Sequence, residues 1–200
     1  MKFEIKIFEY KGIPVYFKLW FLLLFAWVSP TIVACLFFAV LLHEMGHAWA
    51  ADRLGYRVDH IAVDLFYGYA DVDMSNCPES DSIKIVAAGP MVNLLLFGVS
   101  MFLLGTFPGI PFASSFALVN LMLFIFNILP IYPMDGGRLM KSILMLRMRS
   151  RLAAKKAAGW ISLITTAALL AYAISTASIM LAIFCLLFGY YALKEIEYVK

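Results

Sequence analysis

Apolar runs that reach the length of a membrane crossing make up most of this chain and restrict the folds open to it. A transmembrane helix needs about 17–25 predominantly apolar residues. The candidate spans are Val15–Ser29, Thr31–Ala51, Ile83–Leu104, Phe112–Leu129, Ala157–Ser175 and Ala177–Leu193. Hydrophobic residues form 64% of the 200-residue chain and charged residues 14%, against about 45–50% and about 25% in soluble domains. We therefore predict an all-α polytopic membrane protein with six transmembrane helices and a short membrane-associated β-hairpin.

The first two spans are predicted to be separate helices. A single helix from Leu19 to Ala51 would be about 50 Å long, whereas the hydrocarbon core of a bilayer is about 30 Å thick. Ser29-Pro30 supplies a break between them, since a residue before proline disfavours the helical conformation. The first span remains shorter than the others under this division.

The positions of Lys and Arg predict the orientation of the chain. The connections at Ser29-Pro30, Gly105–Pro111 and Ser175-Thr176 carry no charge. The N-terminal, second-to-third, fourth-to-fifth and C-terminal segments hold the Lys and Arg residues, which places all of them on one side of a six-helix arrangement. By the positive-inside rule, both termini of this multi-pass protein of the cell membrane are expected to be cytoplasmic.

We expect one membrane-embedded domain over residues 1–200. Its predicted parts are an N-terminal strand (1–14), helices 1 and 2 (15–53), a β-hairpin (56–75), helices 3 and 4 (83–138), a cytoplasmic amphipathic connector (139–156) and helices 5 and 6 (157–193). The alternating β-branched and aromatic residues of Ile61–Met74 predict a short hairpin or a re-entrant strand. The connector prediction rests on the basic amphipathic pattern of Met140–Lys156.

The second predicted span contains His43-Glu44-Met45-Gly46-His47. Placing an ionised side chain at mid-helix in lipid costs at least about 2.5 kcal/mol, so polar residues there indicate function. Histidines four residues apart share a helix face, and H-E-x-x-H on a helix is the arrangement of a zinc ion with a glutamate general base. From the helix rise, the pair lies about 8–14 Å below the cytoplasmic surface. The alternative is a chance match with histidines satisfied inside a helix bundle.

A catalytic zinc takes three protein ligands and keeps one open position, so the two histidines need a third ligand. Asp135 is the strongest candidate. Pro130 and Pro133 interrupt the fourth predicted span, and Gly136-Gly137 permits unusual backbone angles. Broken backbone at membrane depth is tolerated where protein or a water-filled cavity satisfies it. The alternative is a loop aspartate just outside the membrane. The rival acids are Asp64, Asp71 and Asp73 on the predicted hairpin, and the third histidine, His60, is predicted to be a surface residue.

Two asparagines are candidates for substrate contact. Asn93, at the end of Ala88-Gly89-Pro90-Met91-Val92-Asn93, lies about 14 Å deep by helix rise, at the level of His43. Asn127 lies near the broken part of the fourth span. Each amide can donate to a substrate carbonyl or an oxyanion. Hydrogen bonding between helices is an equally good reading of both residues.

These motifs together resemble the site-2 protease family of intramembrane zinc metalloproteases, peptidase family M50. The resemblance lies in HEMGH, AAGPMVN and NILPIYPMDGGR on successive helices, with IKIFEYKGIPVYF similar to the family's N-terminal strand. It implies His43, His47 and Asp135 as ligands of one Zn²⁺ per chain and Glu44 as the catalytic base. The sequence matches a minimal catalytic core of that family without a regulatory domain, or a core trimmed from a longer chain. The family's hairpin usually carries Gly-Gly, whereas this chain has the single glycine of Tyr67-Gly68-Tyr69.

We therefore predict a zinc-dependent endopeptidase that cleaves within or near the end of a transmembrane segment of another membrane protein. The expected partners are that substrate and the lipid bilayer, with no nucleic acid, and a homo-oligomer remains open. A zinc or cation transporter using the same three ligands is the main alternative, since intramembrane charges and broken helices also suit transporters. A catalytically silent membrane protein is a third reading, which the intact HEMGH and Asp135 argue against.

Overall fold

A computed structural model describes residues 4–26, 28–63, 68–107, 109–110 and 112–197. The elements along the chain are β1 (Glu4–Tyr10), β2 (Ile13–Lys18), a 3₁₀ helix (Leu19–Ala26), α1 (Pro30–Arg53), β3 (Val58–Val63), β4 (Gly68–Val72), α2 (Glu79–Thr106), α3 (Ala113–Ile128), α4 (Asp135–Arg147), α5 (Arg151–Ser175) and α6 (Ile179–Glu197). They divide into two compact units. The first unit comprises Met1–Cys77 and Ala87–Ile125, and the second comprises Pro78–Val86 and Phe126–Lys200.

The first unit contains a four-stranded sheet in the order β1-β2-β3-β4. Strands β1 and β2 form an antiparallel hairpin, whose two-residue turn has positive φ at Lys11 (51°) and Gly12 (83°), as a type I′ turn requires. Strands β2 and β3 are parallel, so they need a crossover connection, which α1 provides. Strands β3 and β4 are antiparallel, which confirms the predicted hairpin over its described residues.

Helix α1 packs against this sheet through a shared apolar core. Val15 on β2 and Ile61 and Val63 on β3 are fully buried, and they cluster with Val33 and Leu41 of α1. Parallel strands are normally covered on their faces, and here one long apolar helix supplies the cover. The core therefore fixes α1, with its histidines, against the strands.

Four helices among the described residues are long and apolar enough to cross a membrane, namely α1, α2, α5 and α6, and α3 is a shorter apolar helix. Large apolar side chains on α5 and α6 are exposed, among them Ile164, Ile174 and Ile179. Such a surface suits lipid rather than water. The chain is thus an integral membrane protein of mainly helical structure, although six spans are not confirmed.

The predicted helix over Val15–Ser29 is wrong. Strand β2 continues to Lys18, and the 3₁₀ helix follows it. The segment is apolar enough to resemble a short span, but Val15, Tyr16 and Phe17 pair with β3, and β-branched and aromatic residues favour strands. Pairing with a strand distant in sequence determines the structure of this segment. A hydropathy pattern contains no information about such pairing.

The predicted connector 139–156 is not one amphipathic segment. Helix α4 already begins at Asp135 and ends at Arg147, and α5 begins at Arg151. Ser150 caps α5 by accepting a hydrogen bond from the Ala153 N–H at 3.2 Å, which is the usual role of serine at a helix start. This cap starts α5 six residues before the predicted Ala157, because the cap rather than the apolar pattern sets the boundary.

Candidate metal centre

The histidines of HEMGH lie one turn apart on α1, and both are buried together with Glu44. The Nε2 atoms of His43 and His47 are 3.1 Å apart. A tetrahedral zinc with bonds of about 2.0–2.1 Å would separate two ligand nitrogens by roughly 3.3 Å. Two imidazole nitrogens that converge in this way fit a zinc ion.

The space in front of these nitrogens exists because residue 89 of α2 is glycine. A Cβ at Gly89 would collide with the imidazole of His47 and would lie 2.7 Å from His43 Nε2. Helices α1 and α2 also meet closely at Gly46, where a Cβ would lie 2.8 Å from Val92 Cγ2 and 3.0 Å from the Ala88 carbonyl oxygen. Small residues permit such close approach of helices in membranes. The missing side chain of Gly89 leaves a space beside His43 Nε2 and His47 Nε2, here called the cradle, that an ion can fill.

Asn93 lies beside His43 and takes part in hydrogen bonds between helices. Its Oδ1 is 2.5 Å from His43 Nδ1, and its Nδ2 donates to the Ala39 carbonyl oxygen at 3.3 Å and to Asn120 Oδ1 at 2.9 Å. Asn93 and Asn120 are fully buried. The sequence predicted that Asn93 lies at the level of His43, which this contact confirms, but it did not indicate Asn120. Its only sequence signal was a polar residue inside an apolar helix, which demands a partner.

Glu44 faces the start of β4. A Cβ at Gly68 would lie 2.5 Å from Glu44 Cγ and 2.7 Å from Glu44 Oε1. Glycine within a strand often marks a place where another group approaches closely, and here that group is the predicted base. Strand β4 lies at the edge of the sheet, so an edge strand starts next to the candidate catalytic residue Glu44.

Asp135 belongs to the second unit, where it is buried as the first residue of α4. The predicted break is confirmed: α3 ends at Ile128 and α4 starts at Asp135. Gly136 and Gly137 are required at the start of α4, since a Cβ on either would collide with backbone near Ile128 or Ile131. A carboxylate in the first helical turn is also favoured by the helix dipole.

The other candidate ligands are the acids of the predicted hairpin and His60, and those that the structure describes have partners outside HEMGH. Asp71 is exposed, and its Oδ2 lies 3.6 Å from His60 Nδ1. His60 is half-buried and packs edge-on against Tyr16. Hydrogen bonds from Ser75 hold the pKa of Asp73 below its ordinary value. Asp64 lies outside the described residues.

Asn127 is half-buried at the penultimate position of α3, in the second unit. Its predicted contact with an oxyanion stays a prediction. So does the same role for Asn93, although the structure shows that residue in the bonds between helices that were the alternative.

Comparison with known proteins places this arrangement among metalloproteases. The model of peptidase family M50 matches residues 31–116 and 107–172. A zinc metalloprotease of Methanocaldococcus jannaschii is 31% identical over 159 residues, which cover 72% of this chain and 46% of the relative. Stage IV sporulation protein FB of Bacillus subtilis is 32% identical over 114 residues, covering 53% of this chain and 38% of the relative. The chain thus spans less than half the length of these curated relatives.

The solved structure of the site-2 protease from Methanocaldococcus jannaschii has a TM-score of 0.71 and 27% identity to this chain, covering 97% of it and 95% of the solved chain. The chain belongs to peptidase family M50. The comparisons confirm the resemblance read from the motifs, and they support a zinc-dependent metalloendopeptidase.

Proposed function

We propose that this protein is a zinc-dependent intramembrane endopeptidase that hydrolyses a peptide bond within or near the end of a transmembrane segment of a membrane-protein substrate. The observation that carries the proposal is the buried convergence of His43 and His47, with Glu44 beside them, on a helix apolar enough to cross a membrane. The family and its named zinc metalloproteases support it.

We assign His43, His47 and Asp135 as the zinc ligands, with one ion per chain. These three described side chains are buried and have the donor types that can hold a metal ion. A buried carboxylate is costly unless a cation or hydrogen bonds compensate it, and Arg138 Nη1 lies 3.9 Å from Asp135 Oδ1. Zinc, when bound, supplies Lewis acidity that polarises a carbonyl and lowers the pKa of a water molecule.

Glu44 acts as the general base and then as the general acid. Its carboxylate takes a proton from the attacking water and later passes a proton to the leaving amine. Burial of Glu44 next to the two histidines keeps this proton transfer away from bulk solvent. With both termini cytoplasmic, the site would lie about 8–14 Å below the cytoplasmic face, and water would enter from that side.

Strand β4 is proposed to hold the substrate. An intact helix shields its peptide carbonyls, so the substrate must unwind locally before hydrolysis. An unwound segment can add to an exposed sheet edge through main-chain hydrogen bonds, and the edge strand β4 begins at Gly68, against Glu44. Strand addition there would bring an extended peptide to the base.

The test compares wild type with Glu44→Gln on a single-span membrane protein as substrate. We expect turnover to fall by about 10²–10⁴-fold, the usual contribution of a general base, while zinc stays bound because Glu44 is not a ligand. Full turnover by the variant would contradict the mechanism. The comparisons do not favour a zinc or cation transporter, and that function would require zinc flux into liposomes that survives Glu44→Gln.

A further inference from the structure

A chain of two buried amides ends on His43. Asn120 on α3 bonds to Asn93 on α2 at 2.9 Å, and Asn93 approaches His43 Nδ1 on α1 at 2.5 Å. Neither asparagine has exposed surface. A buried polar group without a partner is destabilising, and these two amides find their partners in a network that connects three helices.

Backbone carbonyls at both steps of this chain determine which way each amide faces. Asn120 Nδ2 donates to the Phe116 carbonyl oxygen at 2.8 Å, which leaves Asn120 Oδ1 to accept from Asn93. Asn93 Nδ2 donates to Asn120 Oδ1 and to the Ala39 carbonyl oxygen. A carbonyl oxygen only accepts, so Asn93 Oδ1 must face the imidazole.

This orientation selects one tautomer of His43. Because Asn93 Oδ1 is an acceptor, His43 Nδ1 must carry the proton that it donates, and a neutral imidazole then has its lone pair on Nε2. His43 Nε2 is the atom that faces His47 Nε2. The hydrogen bond made by one ring nitrogen commonly sets which nitrogen a metal binds.

We propose that Asn93 and Asn120 are positioning residues that hold His43 in the Nδ1–H tautomer and in the ring orientation that binds metal through Nε2. The proposal rests on the proposed function only in taking His43 as a zinc ligand. Both amide hydrogens of Asn93 are used in this network, so the geometry favours positioning over donation to an oxyanion for this residue. Asn120 acts one step further away, by orienting Asn93.

The experiment measures zinc affinity by competition with a chelator, and the visible spectrum of the Co²⁺-substituted protein, for Asn93→Leu and Asn120→Leu. We expect zinc affinity to fall by about 10–100-fold, as loss of outer-shell partners does, with the larger loss in Asn93→Leu and an altered Co²⁺ spectrum in both. Asn120→Asp, as the neutral acid, keeps an acceptor for Asn93 and a donor for the Phe116 carbonyl oxygen, and should restore affinity and spectrum. Ser100→Ala is the matched control, because it removes a buried hydrogen bond to Leu96 on the same helix α2 and should change neither.

Wild-type zinc affinity in both leucine variants, with folding verified by thermal unfolding, would overturn the proposal. So would a lower unfolding temperature without a change in metal affinity or spectrum, because that outcome describes packing alone. Loss of zinc affinity in a protein that shows no proteolysis with any substrate would leave the positioning role standing and count against the proposed function instead.

Discussion

The interiors of the two units are built in different ways. In the first unit, the buried polar residues His43, Asn93 and Asn120 are joined by directed hydrogen bonds. In the second unit, α5 and α6 bury small residues such as Ala158 and Ala192, and Thr166 Oγ1 is buried without a hydrogen-bond partner among the described residues. Helices in lipid gain no hydrophobic free energy by associating, so close packing of small residues must stabilise the contact between them. The hydrogen bonds of the first unit thus end on a proposed zinc ligand, whereas small side chains fill the contact between α5 and α6.

Gly89→Ala is expected to have the largest effect. The added methyl group would occupy the space in front of the His43 and His47 nitrogens. Imidazole rings can swing away, so the fold should survive, but zinc affinity should fall by at least about 100-fold, the upper end for outer-shell changes. Gly98→Ala on the same helix is the control, since nothing lies within 4 Å of a Cβ there. Equal zinc affinity in the two variants would refute this view of the cradle.

The two edges of the sheet, β1 and β4, are expected to differ because only β4 is proposed to hold the substrate. The single substitutions Tyr69→Pro and Ala70→Pro in β4 test this difference. Proline removes a main-chain donor, and we expect kcat/KM to fall by about tenfold, roughly one lost hydrogen bond, with zinc retained. The control is Ile7→Pro on the opposite edge strand, at an irregular step in its register, where proline is better tolerated. Cleavage at the wild-type rate in both β4 variants would remove β4 from the proposed substrate path.

Gly159→Ala tests the small-residue interior of the second unit. Its Cβ would collide with Ile196 Cγ1 of α6, and overpacking of this kind typically costs about 1–3 kcal/mol. We expect a lower thermal unfolding temperature and unchanged zinc affinity. Gly189→Ala is the matched control, because its Cβ would lie at an ordinary 3.9 Å from Thr166 Cγ2. A loss of zinc rather than of stability would contradict the contrast between the units.

Thr166→Val should have the smallest effect. It replaces a buried hydroxyl that has no partner within the described part of the chain by a methyl group of similar shape. Removing an unsatisfied polar group should raise the free energy of unfolding by about 1 kcal/mol. A rise in unfolding temperature would agree with this expectation, and a fall would show that the hydroxyl is bonded after all.

The sequence predicted the convergence of His43 and His47 and the break after α3 better than the fold around them. HEMGH is a local pattern whose geometry follows from helical spacing, and Pro130 and Pro133 broke the helix as local chemistry requires. The strand at Val15–Phe17 was missed because its partner, β3, lies more than forty residues away along the chain. Asn120 was missed for a similar reason, since its role depends on Asn93 of another helix. Contacts between elements distant in sequence leave no periodic trace within either one.

The asparagine network also has a mechanical consequence. At the level of Asn93, hydrogen bonds between buried groups connect helices α1, α2 and α3. Sliding any of the three by one turn, about 5.4 Å, would break at least one of these bonds. These bonds therefore favour movement of the three helices as one group at this level, so the proposed entry of a substrate would leave their registration unchanged.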